Sequence, residues 1–119
     1  MNILEPFLNW QSEIRAIRRD IHAHPELSYQ EQRTSDLVAA ALEKWGITVH
    51  RGLGGTGVVG EIKGKTPGSG AIGLRADLDA LPMQELNTFA HSSQHPGKMH
   101  GCGHDGHTAM LLNAAHYLA

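Results

Sequence analysis

The chain has 119 residues, 40% of them hydrophobic and 18% charged, with a net charge of -2. That length bounds it to one domain, able to bury roughly 65% of its unfolded surface. The balance reads as soluble and globular, leaves no basic footprint for nucleic acid or an anionic membrane, and offers no apolar run near the ~18 residues of a membrane span.

Ile3, Phe7, Trp10, Ile14, Ile17 and Ile21 recur at steps of four and three, which predicts an amphipathic first helix. Polar residues at Glu5, Asn9 and Gln11 break any signal-peptide core in the same stretch. Pro25 ends the helix. "SYQE" then predicts a capping box, Ser28 with Glu31, before a second helix through Leu37, Val38, Ala41, Leu42 and Trp45. Gly46 stands where such a helix stops.

From residue 47 the pattern shifts to short β-branched runs. "ITVHRG", "GVVGEIKG" and "AIGLRAD" are three strand candidates, with "KTPGSG" a turn between the last two. "GLGGTG" matches the spacing of a dinucleotide-binding loop, but Val58 and Val59 continue as strand where that loop needs a helix. A hairpin turn is the expectation. Residues 81–101 read as loop. A third helix is expected from His104 or Asp105, burying Leu111, Ala114, Ala115 and Leu118. The order predicts an α/β fold, helices packed on a mixed sheet. Three strand candidates are few for such a layer, so the chain is expected to be the front part of a larger domain.

Histidine is the unusual count. Of nine, six lie in the last 29 residues, and the only cysteine sits among them in "HGCGHDGH". One cysteine forms no internal disulfide, which suits a reducing cytoplasm. Cys102 and His104 flank one glycine, a spacing that lets both side chains aim at one point. Thiolate with imidazole suits zinc, and imidazole also takes manganese, nickel or iron. Asp105 suits a helix start or a carboxylate behind a ligand. Upstream, "RADLDALP" sets Asp77 and Asp79 at a strand end, close enough to repel unless a cation relieves them. His100, His95 and His91 are further local donors. The alternatives are plainer: Cys102 as a small buried residue, His107 and His116 as a helix surface, the Asp pair as a turn before Pro82, or Cys102 as a redox thiol.

Three stretches then carry a resemblance: "RRDIHAHPELSYQEQRT", "GLRADLDALPMQE" and "GKMHGCGHDGHTAMLL". Together they resemble the amino-terminal third of the aminoacylase and hippurate-hydrolase family. That family comprises metal-dependent amidohydrolases, includes the auxin-conjugate hydrolases, and is related to two-metal carboxypeptidases. The resemblance implies the amino-terminal part of a zinc-peptidase-like catalytic domain over residues 1–119, with the rest of that domain and a dimerising lid domain outside it. By resemblance Cys102 and His104 are metal ligands. Asp77 and Asp79 are the catalytic carboxylates, one of them orienting a ligand, with Asp77 favoured for that role. His22, Pro25 and Glu26 match an early signature, read as a helix-ending structural element. Gly101 stands where relatives often carry alanine. The cofactor implied is a divalent metal (zinc, manganese or nickel), as one ion or two. The substrate implied is a small N-acyl amino acid in the cytoplasm, with neither nucleic acid nor membrane as partner and with self-association open. The family's general-base glutamate and remaining ligands fall outside this sequence. The rival expectation is therefore a catalytically incomplete fragment that acts at most as a metal-binding or interaction module.

Overall fold

A computed structural model describes residues 2–119. In chain order it has α1 (Leu4–Ala23), α2 (Gln32–Lys44), β1 (Thr48–Leu53), β2 (Gly57–Glu61) and α3 (His104–Leu118). The α/β class holds, with α1 packed on α3 and α2 lying between α3 and the β1–β2 hairpin. Val38, Leu42, Ile47 and Leu112 form the centre of the core, with Ile17, Trp45, Val49, Val58 and Leu78 closing around them. Among the described residues no helix is long and apolar enough to cross a membrane.

The two ends of α2 show how local chemistry fixes the helix. At its carboxyl end Gly46 takes φ +75°, a conformation open to glycine because it lacks a Cβ. Gly46 N–H donates to Glu43 O at 3.0 Å and Ile47 N–H to Leu42 O at 3.1 Å, the paired bonds of a Schellman stop. Ile47 and Leu42 then meet in the core. At its amino end the expected Ser28–Glu31 capping box does not form. Glu26 caps instead: its carboxylate accepts from Arg33 N–H at 2.9 Å, Thr34 N–H at 2.7 Å and the Thr34 hydroxyl at 2.6 Å. Glu31 is buried and takes the Thr56 hydroxyl of the hairpin at 2.7 Å. A carboxylate that reaches three donors satisfies more orphan helix groups than a serine reaching one.

β1 and β2 pair antiparallel from Thr48↔Glu61 to Leu53↔Gly57. "GLGGTG" is the turn between them, closed by Gly55 N–H on Gly52 O at 3.1 Å. Parallel pairing enters the fold through one bridge, Leu27↔Ala80, and a second, antiparallel bridge joins Leu81 to Met99. "AIGLRAD" departs from expectation. It forms no strand, because no described segment pairs with it, and Ile72 is 91% exposed and Leu74 61%. The buried face of α3 differs in part. Ala115 packs against the core as expected, but Asp105, Thr108, Ala109 and Leu112 are the buried residues and Leu118 is exposed. Leu111 and Ala114 line an open groove of about 340 Å³ shared with Leu74 and Ala76. The helix is apolar on two sides, so its period alone does not choose which side packs on α1 and α2.

Candidate metal centre

Two segments meet at the start of α3. The first is the extended run that carries Asp77 and Asp79. Ala80 N–H donates to Glu26 O at 2.8 Å, and Leu81 and Met99 exchange backbone bonds at 2.9 and 3.0 Å. These bonds hold the Asp-bearing run against the end of α1 and the 81–101 loop. The second is the α3 amino terminus. Gly103 precedes it at φ +86°, and no side chain caps it. The Thr108 hydroxyl, one turn into α3, donates to Asp77 O at 2.7 Å and joins the two segments.

His104 stands at that junction. Its Nδ1 lies 2.9 Å from Asp79 Oδ1 and 3.0 Å from Asp79 O. Both are acceptors, so Nδ1 carries a proton, and a single-proton ring in this orientation has its lone pair on Nε2. Nε2 in turn lies 3.5 Å from Asp77 Oδ2. One ligand atom from each of Asp77, Asp79 and His104 falls within 4.8 Å of the others, and all three side chains are partly exposed. Arg75 Nη1 approaches Asp77 Oδ1 at 3.1 Å from the solvent side.

Of the four residues expected from sequence, the structure gathers Asp77, Asp79 and His104. Cys102 is a free, exposed thiol and is not part of the converging group. Asp79, rather than the favoured Asp77, stands against His104 Nδ1. Of the further donors considered, His100 is buried and its ring nitrogens have no hydrogen-bond partner among the described residues. Burial holds its pKa below the ordinary histidine value, helped by the positive potential of His22 and His104 and opposed by Asp105 and Asp79. His91 stacks on Phe89, and His95 lies edge-on to His24.

Sequence reasoning missed a buried polar knot beside this group. His22, Glu85 and Asp105 are all buried. His22 Nδ1 meets Asp105 Oδ2 at 2.8 Å, and Nε2 meets Glu85 Oε1 at 3.0 Å. Arg18 Nε approaches the same Asp105 oxygen at 3.2 Å. Burial alone would raise the Glu85 carboxyl, but the Ser93 N–H, the Asn87 amide and His22 outweigh it and hold it below the ordinary carboxylate value. Each member lay in a stretch the sequence singled out, Asp105 as suited to a helix start or to a place behind a ligand and His22 as part of a helix-ending element, but nothing in the sequence joined them.

Two carboxylates and an imidazole brought together at a helix start on an α/β layer are a donor set that could hold a divalent cation. Known proteins place the chain more narrowly. Residues 73–119, which contain the whole converging group, match the model of peptidase family M20/M25/M40. The chain is 48% identical over 119 residues to hippurate hydrolase of Campylobacter jejuni, covering 100% of this chain and 31% of the relative. It is 48% identical over 105 residues to N-acyl-L-amino acid amidohydrolase of Geobacillus stearothermophilus, covering 88% of this chain and 28% of the relative. Among solved structures it resembles the Bacillus subtilis YXEP protein, described as a dinuclear metal binding peptidase from the M20 family. There the TM-score is 0.86 and the identity 41%, over 91% of this chain and 30% of that one. The chain thus spans about a third of the length of the relatives it matches, and its resemblance to the hippurate-hydrolase and aminoacylase family is borne out.

Proposed function

We propose that residues 1–119 form the amino-terminal portion of the catalytic domain of a metal-dependent amidohydrolase that cleaves the amide bond of N-acyl amino acids. The observation that carries this is the convergence of Asp77, Asp79 and His104 beside an exposed Cys102. Support comes from the relatives' names, a hippurate hydrolase and an N-acyl-L-amino acid amidohydrolase, and from the dinuclear metal binding peptidase of like fold.

The donor chemistry fits a divalent ion. His104 presents a lone pair on Nε2 because Asp79 holds the proton on Nδ1. Asp77 Oδ2 lies on the Nε2 side, so it offers a carboxylate oxygen to the same ion. Cys102, joined to His104 through Gly103, supplies the softer thiolate that favours zinc. Manganese and nickel suit the same imidazole and carboxylate, and the proposal takes in one ion or two, the neighbour of like fold being described as dinuclear. When bound, such an ion supplies Lewis acidity toward a carbonyl oxygen and a nucleophile from water at neutral pH. The chain's own residues hold and orient: Asp79 fixes the imidazole, and Arg75 limits where the Asp77 carboxylate turns. The substrate class is a small molecule with an acyl group, an amide and a free carboxylate. The same proposal places the protein in the cytoplasm and leaves self-association through the unpaired 71–77 segment open.

A second reading rests on the donor count. The converging group has three members, whereas a closed zinc site takes four ligands. In that reading the chain binds metal without turning over substrate. Hippurate and N-acetyl amino acid hydrolysis, assayed with added manganese or zinc, separates the two. Turnover that a chelator abolishes supports the amidohydrolase. Metal uptake without turnover, in this chain and in one extended to the relatives' length, leaves the metal-binding module. No metal uptake at all overturns both.

A further inference from the structure

We propose that His22 is a positioning residue for the Asp77–Asp79–His104 group, acting through Asp105; this rests on the metal site proposed above. Both ring nitrogens of His22 face carboxylate oxygens, Nδ1 on Asp105 at 2.8 Å and Nε2 on Glu85 at 3.0 Å, so the ring is gripped from two opposite sides, and Arg18 Nε approaches the same Asp105 oxygen at 3.2 Å. The remaining groups that face His22 are Phe89, His91 and His100, with ring centroids at 6.0, 5.8 and 6.4 Å. None of them supplies another negative charge. Both carboxylates are 2% exposed, so neither is relieved by water.

The knot's connections give it a positional role. His22 lies at the end of α1, and Asp105 follows His104 directly at the start of α3. Four residues after His22, Glu26 O takes Ala80 N–H at 2.8 Å, and Ala80 follows Asp79 directly. Both halves of the metal group are thus fastened to one short stretch, residues 22–26. Glu85 extends the hold into the 81–101 loop, where it also accepts from Ser93 N–H at 3.0 Å. The two-sided bonding of His22 sets where α3 begins, and so where the His104 ring meets Asp79.

Cobalt(II) titration followed by visible absorption tests this on the whole chain. His22→Gln keeps a polar side chain but lacks the two opposed ring nitrogens that hold Asp105 and Glu85 apart. It is expected to weaken cobalt uptake about tenfold and to alter the band intensity of the bound ion. Asp105→Asn, which keeps the shape but removes the charge, gives a second route should His22→Gln fail to fold, and is expected to shift the same bands. Variants that remain folded by circular dichroism and bind cobalt with wild-type affinity and spectrum overturn the positioning role alone. A wild-type chain that takes up no cobalt overturns the metal site and the positioning role together.

Discussion

The imidazole of His104 turns Nδ1 onto Asp79 Oδ1 at 2.9 Å and leaves Nε2 on the side of Asp77. One contact therefore fixes both the tautomer and the direction of the ring. Asp79→Ala frees the ring to rotate and to move its proton. Metal affinity, measured by calorimetry with zinc or manganese, is expected to fall about 10- to 100-fold. Asp79→Asn keeps an acceptor and is expected to lose less. Equal affinity in wild type and Asp79→Ala would show that this contact does not orient a ligand.

Glu26 is the cap of α2, so its removal is expected to cost stability that Ser28 does not. Glu26→Ala strands the N–H groups of Arg33 and Thr34 and the Thr34 hydroxyl. The expected loss is about 1 to 2 kcal/mol in urea unfolding. Ser28→Ala, at an exposed residue outside that network, is expected to stay within about 0.5 kcal/mol. The reverse order would restore the local capping box.

The contrast between those two residues shows what a sequence makes legible. The first helix declares itself because its stripe repeats over five turns, and Gly46 because its role depends on nearest neighbours. The hairpin follows from the absence of a helix after "GLGGTG". Glu26 is hidden because it reaches seven and eight residues along the chain, past a nearer and plausible serine. His22 and Asp105 are 83 positions apart, and nothing local links them. The Asp pair and His104 were legible as chemistry from residue type, but which aspartate faces Nδ1 depends on how the Asp79 segment docks on Glu26. "AIGLRAD" has the composition of a strand, yet a strand exists through a partner, and none of the described segments provides one.

Gly103 and Gly106 are expected to respond to alanine with opposite sign. A Cβ at either meets nothing within 4 Å, so crowding does not decide the outcome. Gly103 sits at φ +86°, where an alanine strains the backbone by about 1 to 2 kcal/mol. Gly106 lies inside α3, where alanine gains about 1 kcal/mol over glycine. Gly103→Ala is also expected to weaken metal binding, because it bends the link between Cys102 and His104. Thermal unfolding and metal titration of the two variants check both statements.

His116 is expected to make the fold sensitive to mild acid. Its ring lies between Trp10 and Trp45, with centroids at 3.8 and 4.2 Å, and its Nδ1 is buried without a hydrogen-bond partner among the described residues. Burial pushes its pKa below the ordinary 6.5, with Lys44 acting in the same direction and Glu13 against it. The unfolded chain therefore takes up the proton first as pH falls through that value. The contribution is fully present above about pH 6.5 and is lost progressively below it. Urea midpoints are expected to drop between about pH 7.5 and about pH 5.5. His116→Phe keeps the stacked ring but cannot titrate, and is expected to flatten that slope. An unchanged slope would place the acid sensitivity elsewhere, with His100 the next buried imidazole to replace.

Cys102, two positions before His104, offers a separate test of the metal site. The thiol is exposed and free, so a small alkylating reagent reaches it. A thiolate bound to zinc is withdrawn from that reaction, because its electron pair is engaged and its approach is screened. Zinc is therefore expected to slow alkylation of Cys102 at least about tenfold, and a chelator to restore the rate. In His104→Ala the protection is expected to disappear, since a lone thiolate holds zinc poorly. Magnesium, which avoids sulfur, is expected to give none. If zinc binds tightly and the thiol still reacts at its free rate, Cys102 is no ligand, and the ion rests on Asp77, Asp79 and His104 without it.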